Sequence, residues 1–277
     1  MMNESAIKEL QKGAAIEQAN ASLNKVSGAI ALPKDFDLHN LEKFEENRYR
    51  FRGQMTTKSV VAFSQYANDN AQQSNSCFIN AEHMQAKLIF NIGDELQPGH
   101  CDHTAVVSLE KTAPYKAMLD IINKRHAQKE IAEFIEDWRN FITAHSEQDA
   151  EGDSHIIPLP RALNAIRKIT IEATAKSESE TRNFGASTSS MESIDVKSEN
   201  LPPALLLFTC KPYADLPERQ FALRLSVITD RTPALTLRCV REEEHTEDMA
   251  KQFKELLRKE LELITPAVKT YIGTFSA

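Results

Sequence analysis

Apolar residues along this chain recur in two rhythms, one of two residues and one of about 3.6, and the changes between them mark its elements. Residues 4 to 26 follow the helical rhythm through Ile7, Leu10, Ala14, Ala15, Leu23 and Val26, although Gly13 weakens the helix. The apolar face is thin, which suits an arm docked on a neighbouring subunit or a helix that frays. Leu32-Pro33 then breaks the chain. Arg48-Tyr49-Arg50-Phe51-Arg52 alternates strictly and predicts a half-buried strand, with Tyr49 and Phe51 inward and three arginines outward, ending at Gly53. Thr56 or Thr57 is placed to cap a helix carrying Val60, Val61, Phe63 and Tyr66. Strands are expected over Cys77 to Asn80, Gln85 to Ile92 and, beyond a Pro98-Gly99 turn, Thr104 to Leu109.

Helical spacing returns over Tyr115 to Ile122 and Gln128 to Ile142, where Ile131, Phe134, Ile135, Trp138 and Ile142 form one stripe. The polar run from His145 to His155 reads as a hinge or exposed loop. Thr170 to Val196 reads as a long hairpin turning at Asn183-Phe184-Gly185, with little apolar surface to bury against its own domain, the alternative being a disordered Ser/Glu-rich loop from Lys176 to Ser190. Leu205 to Cys210 is a continuous apolar run, the pattern of a central strand. Phe221, Leu223, Leu225 and Val227 alternate, Asp230 to Pro233 turns, and Leu235, Leu237 and Cys239 alternate again, which predicts an antiparallel hairpin. A final helix, with Thr246 placed to cap it, carries Met249, Phe253, Leu256, Leu257, Glu260 and Ile264 on a mostly apolar stripe and stops at Pro266.

These elements predict an α+β fold, mainly antiparallel sheet with long β-hairpins, an N-terminal helical arm and a C-terminal packing helix. The arm spans residues 1–30, a first α+β unit 31–145 and a second 156–277, or the last two form one continuous domain. A hairpin that cannot satisfy itself points to a homo-oligomer. The net charge of −7 provides no global attraction for polyanions, so any such contact needs a local patch. The amino terminus lacks the apolar core of a signal peptide and no run reaches membrane-span length, so a cytoplasmic protein with no membrane partner is expected. Four scattered cysteines form no CxxC pair, which argues against a zinc ribbon or disulfide scaffold.

Two features carry candidate chemistry. His100, Cys101, Asp102 and His103 stand side by side behind the Pro98-Gly99 turn. On a strand His100 and Asp102 share one side and Cys101 and His103 the other, so a metal site built on His100, Asp102 and His103 needs a further donor such as His83, Glu82, His39 or Glu95. A hydrogen-bonded structural turn is the plainer reading. Arg48, Arg50 and Arg52 are candidates for nucleic-acid binding, since guanidinium groups at about 7 Å intervals along a strand approximate phosphate spacing. Glu42, Glu45 and Glu46 just upstream are alternative partners for them. Cys77 and Cys101 are nucleophiles only in the sense that any cysteine is. There is no phosphate loop, GxGxxG, GxSxG or HExxH motif, and no cofactor is implied.

The segments LPKDFDLHNLE, NRYRFRGQMTTKSVVAFSQY, CFINAEHMQAKLIFNIGDELQPGHCDHTAVVSLEKTAPYKAML and QKEIAEFIEDW together resemble the YfdQ-like family of prophage and temperate-phage proteins. The resemblance covers about residues 30 to 270 and is densest from Leu32 to Trp138. It implies a phage-encoded accessory protein in the bacterial host cytoplasm, often beside early genes for replication or recombination, and implies no activity. The expected function is therefore that of a non-enzymatic oligomer binding DNA, RNA or a phage or host replication, recombination or defence protein. The alternative is a metal-assisted hydrolase of nucleic acid or nucleotide built on His100, Asp102 and His103.

Overall fold

The computed structural model describes residues 4–23, 42–147, 154–168, 202–228 and 234–276. The chain divides into two compact units, Met1–Phe51 and Arg52–Ala277. In the first, α1 (Glu4–Leu23) leaves nearly all its described side chains exposed, Leu10 among them. The predicted strand over residues 48–52 does not form: the segment bends, and Tyr49 and Phe51 are 72% and 66% exposed. The cause is local. The backbone N–H of Tyr49 donates to the buried Glu42 carboxylate at 3.0 Å instead of to a sheet neighbour.

The second unit holds two five-stranded sheets. The first comprises β1 (Gly53–Thr57), β2 (Ser76–Asn80), β3 (Gln85–Ile89), β4 (His103–Ser108) and β10 (Lys269–Ile272), in the order β1-β4-β3-β2-β10. β2, β3 and β4 form an antiparallel meander, while β1 and β10 join its edges in parallel. Thr56 and Thr57, expected to cap a helix, lie in β1; α2 (Val60–Asp69) is capped by Ser59, whose hydroxyl accepts from Ala62 N at 3.4 Å. The C-terminal strand is clasped by aromatic stacking, with Phe78 5.4 Å from Tyr271 and 4.8 Å from Phe275.

The second sheet runs β6-β5-β7-β8-β9, antiparallel throughout, from β5 (Ile142–His145), β6 (Ile156–Ile157), β7 (Leu205–Cys210), β8 (Arg219–Ile228) and β9 (Ala234–Cys239). Leu205 to Cys210 is the central strand, as its apolar run predicts. β5 and β6 pair antiparallel, and Ser146 N donates to His155 O at 2.9 Å; residues 148–153 of the expected polar loop lie outside the described residues. The helical stripe from Ile131 is split between elements: α4 spans Gln128–Asp137, a 3₁₀ turn covers Arg139–Phe141, and Ile142 opens β5. The stripe still serves one core, since Phe134 and Phe141 both stack on Phe208. The expected hairpin at 170–196 lies outside the described residues.

The helices α2, α3 (Ala113–Ile121), α4, a helix over 159–168 (α5) and α6 (Glu242–Glu262) share one continuous apolar cluster with both sheets. α6 begins at Glu242 after Arg241 in a left-handed conformation, rather than at Thr246, whose hydroxyl donates back to Glu242 O. Glu242, Glu243 and Glu244 occupy its first turn, where the helix dipole favours carboxylates. Met249, Phe253 and Leu257 are buried as expected, together with Leu261. None of the described helices is long and apolar enough to cross a membrane.

Candidate functional site

Strand alternation gives the second sheet two unlike faces. Leu206, Phe208, Phe221, Leu223, Leu225, Leu235 and Leu237 point into the core. The residues between them form the outer face, and no strand residue on it is Asp or Glu. The register aligns His145, Leu205, Arg224 and Arg238 in one row across four strands. Arg224 and Arg238 are direct cross-strand partners, both exposed, and neither forms an ion pair among the described residues. Like charges placed directly opposite destabilise a sheet unless an anion relieves them.

At one end of this face Leu207, Ala222 and Val240 wall a cleft of about 560 Å³, which α6 closes with polar side chains. His245, Asp248 and Gln252 fall at i, i+3 and i+7 on α6, beside its buried apolar stripe. Arg219, with its side chain only 12% exposed, enters from β8. Its Nη1 lies 3.1 Å from His245 Nδ1, donates to His245 O at 3.4 Å, and is 3.6 Å from the Asp248 carboxylate. Burial, then the Arg219 charge, hold the His245 imidazole below its ordinary range despite opposing Asp248 and Glu244. The neutral ring accepts at Nδ1 and so carries its proton on Nε2. Gln252 Oε1 is buried with no hydrogen-bond partner.

The His100–His103 segment is differently employed. His103 is buried at the start of β4, its Nε2 3.2 Å from Tyr66 Oη and its ring 4.4 Å from Phe90. Burial lowers its pKa, and Asp102 opposes that shift. Asn91 ties the segment together: its Nδ2 donates to Asp102 Oδ1 at 2.8 Å and its Oδ1 accepts from His103 N at 3.0 Å. His100 is exposed and Cys101 adopts positive φ. Among the described residues no three His, Cys, Asp or Glu side chains are grouped to hold a metal ion. The geometry is that of a hydrogen-bonded structural turn. Arg48 and Arg50 lie in the bent segment and Arg52 just before β1, without a strand's regular spacing. Cys77 is buried and its thiol pushed up to about 12, which leaves it protonated and unreactive.

Sequence reasoning missed the Arg224–Arg238 pair and the cleft. The pair had a signal, because a hairpin turning near residue 231 places 224 opposite 238. The cleft had none, since Arg219 and Gln252 meet only in three dimensions.

Residues 2–275 match the family described as "Uncharacterized conserved protein (DUF2303)", and the chain belongs to that family. No curated protein and no solved structure matches the chain significantly.

Proposed function

Taking that membership as the premise, we propose that this protein binds single-stranded nucleic acid across the outer face of its second sheet, with phosphates on Arg224 and Arg238. The observation that carries the reading is the direct opposition of two exposed arginines on a face whose strands contribute no carboxylate. In a chain of net charge −7 such a face is a local reversal of the overall field. Guanidinium groups donate pairs of parallel hydrogen bonds to phosphate oxygens. Open sheet faces suit single strands, whose bases splay out over the side chains, better than they suit a duplex. The protein acts by binding, as an accessory component. The resemblance to YfdQ-like prophage proteins supports a phage-encoded role alongside replication or recombination.

Fluorescence anisotropy with labelled oligo(dT) over a salt series tests this. Wild type is expected to bind at low salt and weaken steeply as salt rises. Replacing Arg224 and Arg238 with Ala removes two phosphate contacts and lowers the log–log salt slope by about 1.4, at about 0.7 per contact on a single strand. A parallel Arg48→Ala, Arg50→Ala, Arg52→Ala variant measures what the other arginine segment contributes. A wild-type protein that ignores the oligonucleotide at low salt ends the proposal. An unchanged slope in the Arg224, Arg238 variant removes the sheet face from it.

A further inference from the structure

We infer that the cleft between α6 and the outer face of the second sheet receives one amino-bearing base of the bound strand. The inference rests on the reading of that face as a nucleic-acid interface and deepens it. Ala222 on the cleft wall is two residues along β8 from Arg224 on the same face, a separation of about 7 Å. That is the scale separating a phosphate from its neighbours on a strand, so a backbone held at Arg224 delivers a base to the cleft mouth. The volume of about 560 Å³ accommodates a nucleobase with its sugar at the entrance.

Charge decides which part of a nucleotide enters. Glu218, Glu244 and Asp248 outnumber Arg219 and Arg241 on the lining, and Arg241 is paired with Glu244 at 2.5 Å. A phosphate is repelled there, whereas a neutral base edge is not. Gln252 Oε1 is an acceptor buried without a donor, one helical turn from the Asp248 carboxylate. The unpartnered Oε1 calls for N–H, which the exocyclic amine of cytosine, adenine or guanine provides, whereas thymine has a carbonyl there and only its ring N3–H to donate. Arg219, beside Asp248 at 3.6 Å, and His245 Nε2–H supply donors for a ring nitrogen or carbonyl of the same edge. Leu207, Ala222 and Val240 offer an apolar wall to the flat of the ring. A base in this position satisfies a buried acceptor that the protein alone leaves unsatisfied.

The test compares oligo(dC) with oligo(dT), which share ring size and backbone and differ at the edge that meets Gln252. Wild type is expected to prefer oligo(dC) about tenfold, the scale of one good base-edge contact. Gln252→Leu abolishes that preference, bringing oligo(dC) down to the level of oligo(dT). Because leucine also replaces a buried unsatisfied oxygen with carbon, the same variant unfolds at equal or higher temperature than wild type, which excludes misfolding as the cause. Equal wild-type affinity for oligo(dC), oligo(dA) and oligo(dT) overturns the base pocket while leaving the arginine row intact. A preference that survives Gln252→Leu overturns it too. Failure of all three oligonucleotides to bind instead overturns the sheet-face reading itself.

Discussion

Gly99 shows how a single backbone position fixes the most conspicuous motif in the chain. A Cβ there would lie 1.9 Å from the Asn91 carbonyl oxygen and 2.7 Å from carbonyl carbons of Asn91 and Ile92. Those atoms belong to backbone already engaged, since Gly99 N donates to Ile92 O and Cys101 N to Asn91 O. Nothing at the end of a flexible side chain can move aside. Gly99→Ala is therefore expected to destabilise the protein by about 1–3 kcal/mol in urea unfolding. Gly13 is the matching control, with nothing within 4 Å of its added Cβ and a helix around it. Gly13→Ala should be neutral or stabilising by up to about 1 kcal/mol. Similar losses at both sites would show that the loop does not clamp Gly99 as described.

At the scale of elements, what could be read from the sequence was whatever one face of one element decides. β7 emerged from its apolar run, and β8 and β9 because Phe221, Leu223, Leu225, Leu235 and Leu237 recur at every second position and all point into the core. The stripe of α6 was legible for the same reason, with Phe253 and Leu257 fully buried. Phe253→Ala is expected to cost about 3–5 kcal/mol, whereas Leu263→Ala, at a position 81% exposed just past the helix, stays within about 0.5 kcal/mol. Comparable costs at the two positions, measured by chemical denaturation, would contradict the packing of this helix. What escaped was set by partners outside the element itself, some near in sequence and some distant. The strand pattern at 48–52 lost to the nearby Glu42 carboxylate, and β1 and β10 exist through parallel pairing with the distant strands β4 and β2, Gly53 with His103 and Lys269 with Ser76. The cleft likewise depends on Arg219 meeting a helix that starts after another strand has intervened.

The whole second unit shares one core, so groups buried far apart in it should titrate against the same unfolding event. His103 sits against the first sheet and His245 against the second, and burial is the leading cause that lowers both imidazoles. A lowered folded pKa means that the unfolded chain binds more protons, starting from the ordinary imidazole value of about 6.5. Stability held through the neutral rings is thus complete above about pH 6.5 and lost as pH falls from there toward the folded-state values. The buried His103 contributes a slope of up to about 1.4 kcal/mol per pH unit inside that window, and the partly exposed His245 a smaller one. Glu110, held near 2 by Lys116 and Lys58, titrates in the folded chain well below it. The opposing effect is relief of the −7 net charge on acidification, which salt near 0.15 M screens. Urea unfolding at that salt, from about pH 7 to about pH 5, should show stability falling with acid. His103→Asn and His245→Gln should each flatten the dependence, and their slopes should combine in the double variant. If the double variant keeps the wild-type slope, neither imidazole is held neutral by the fold.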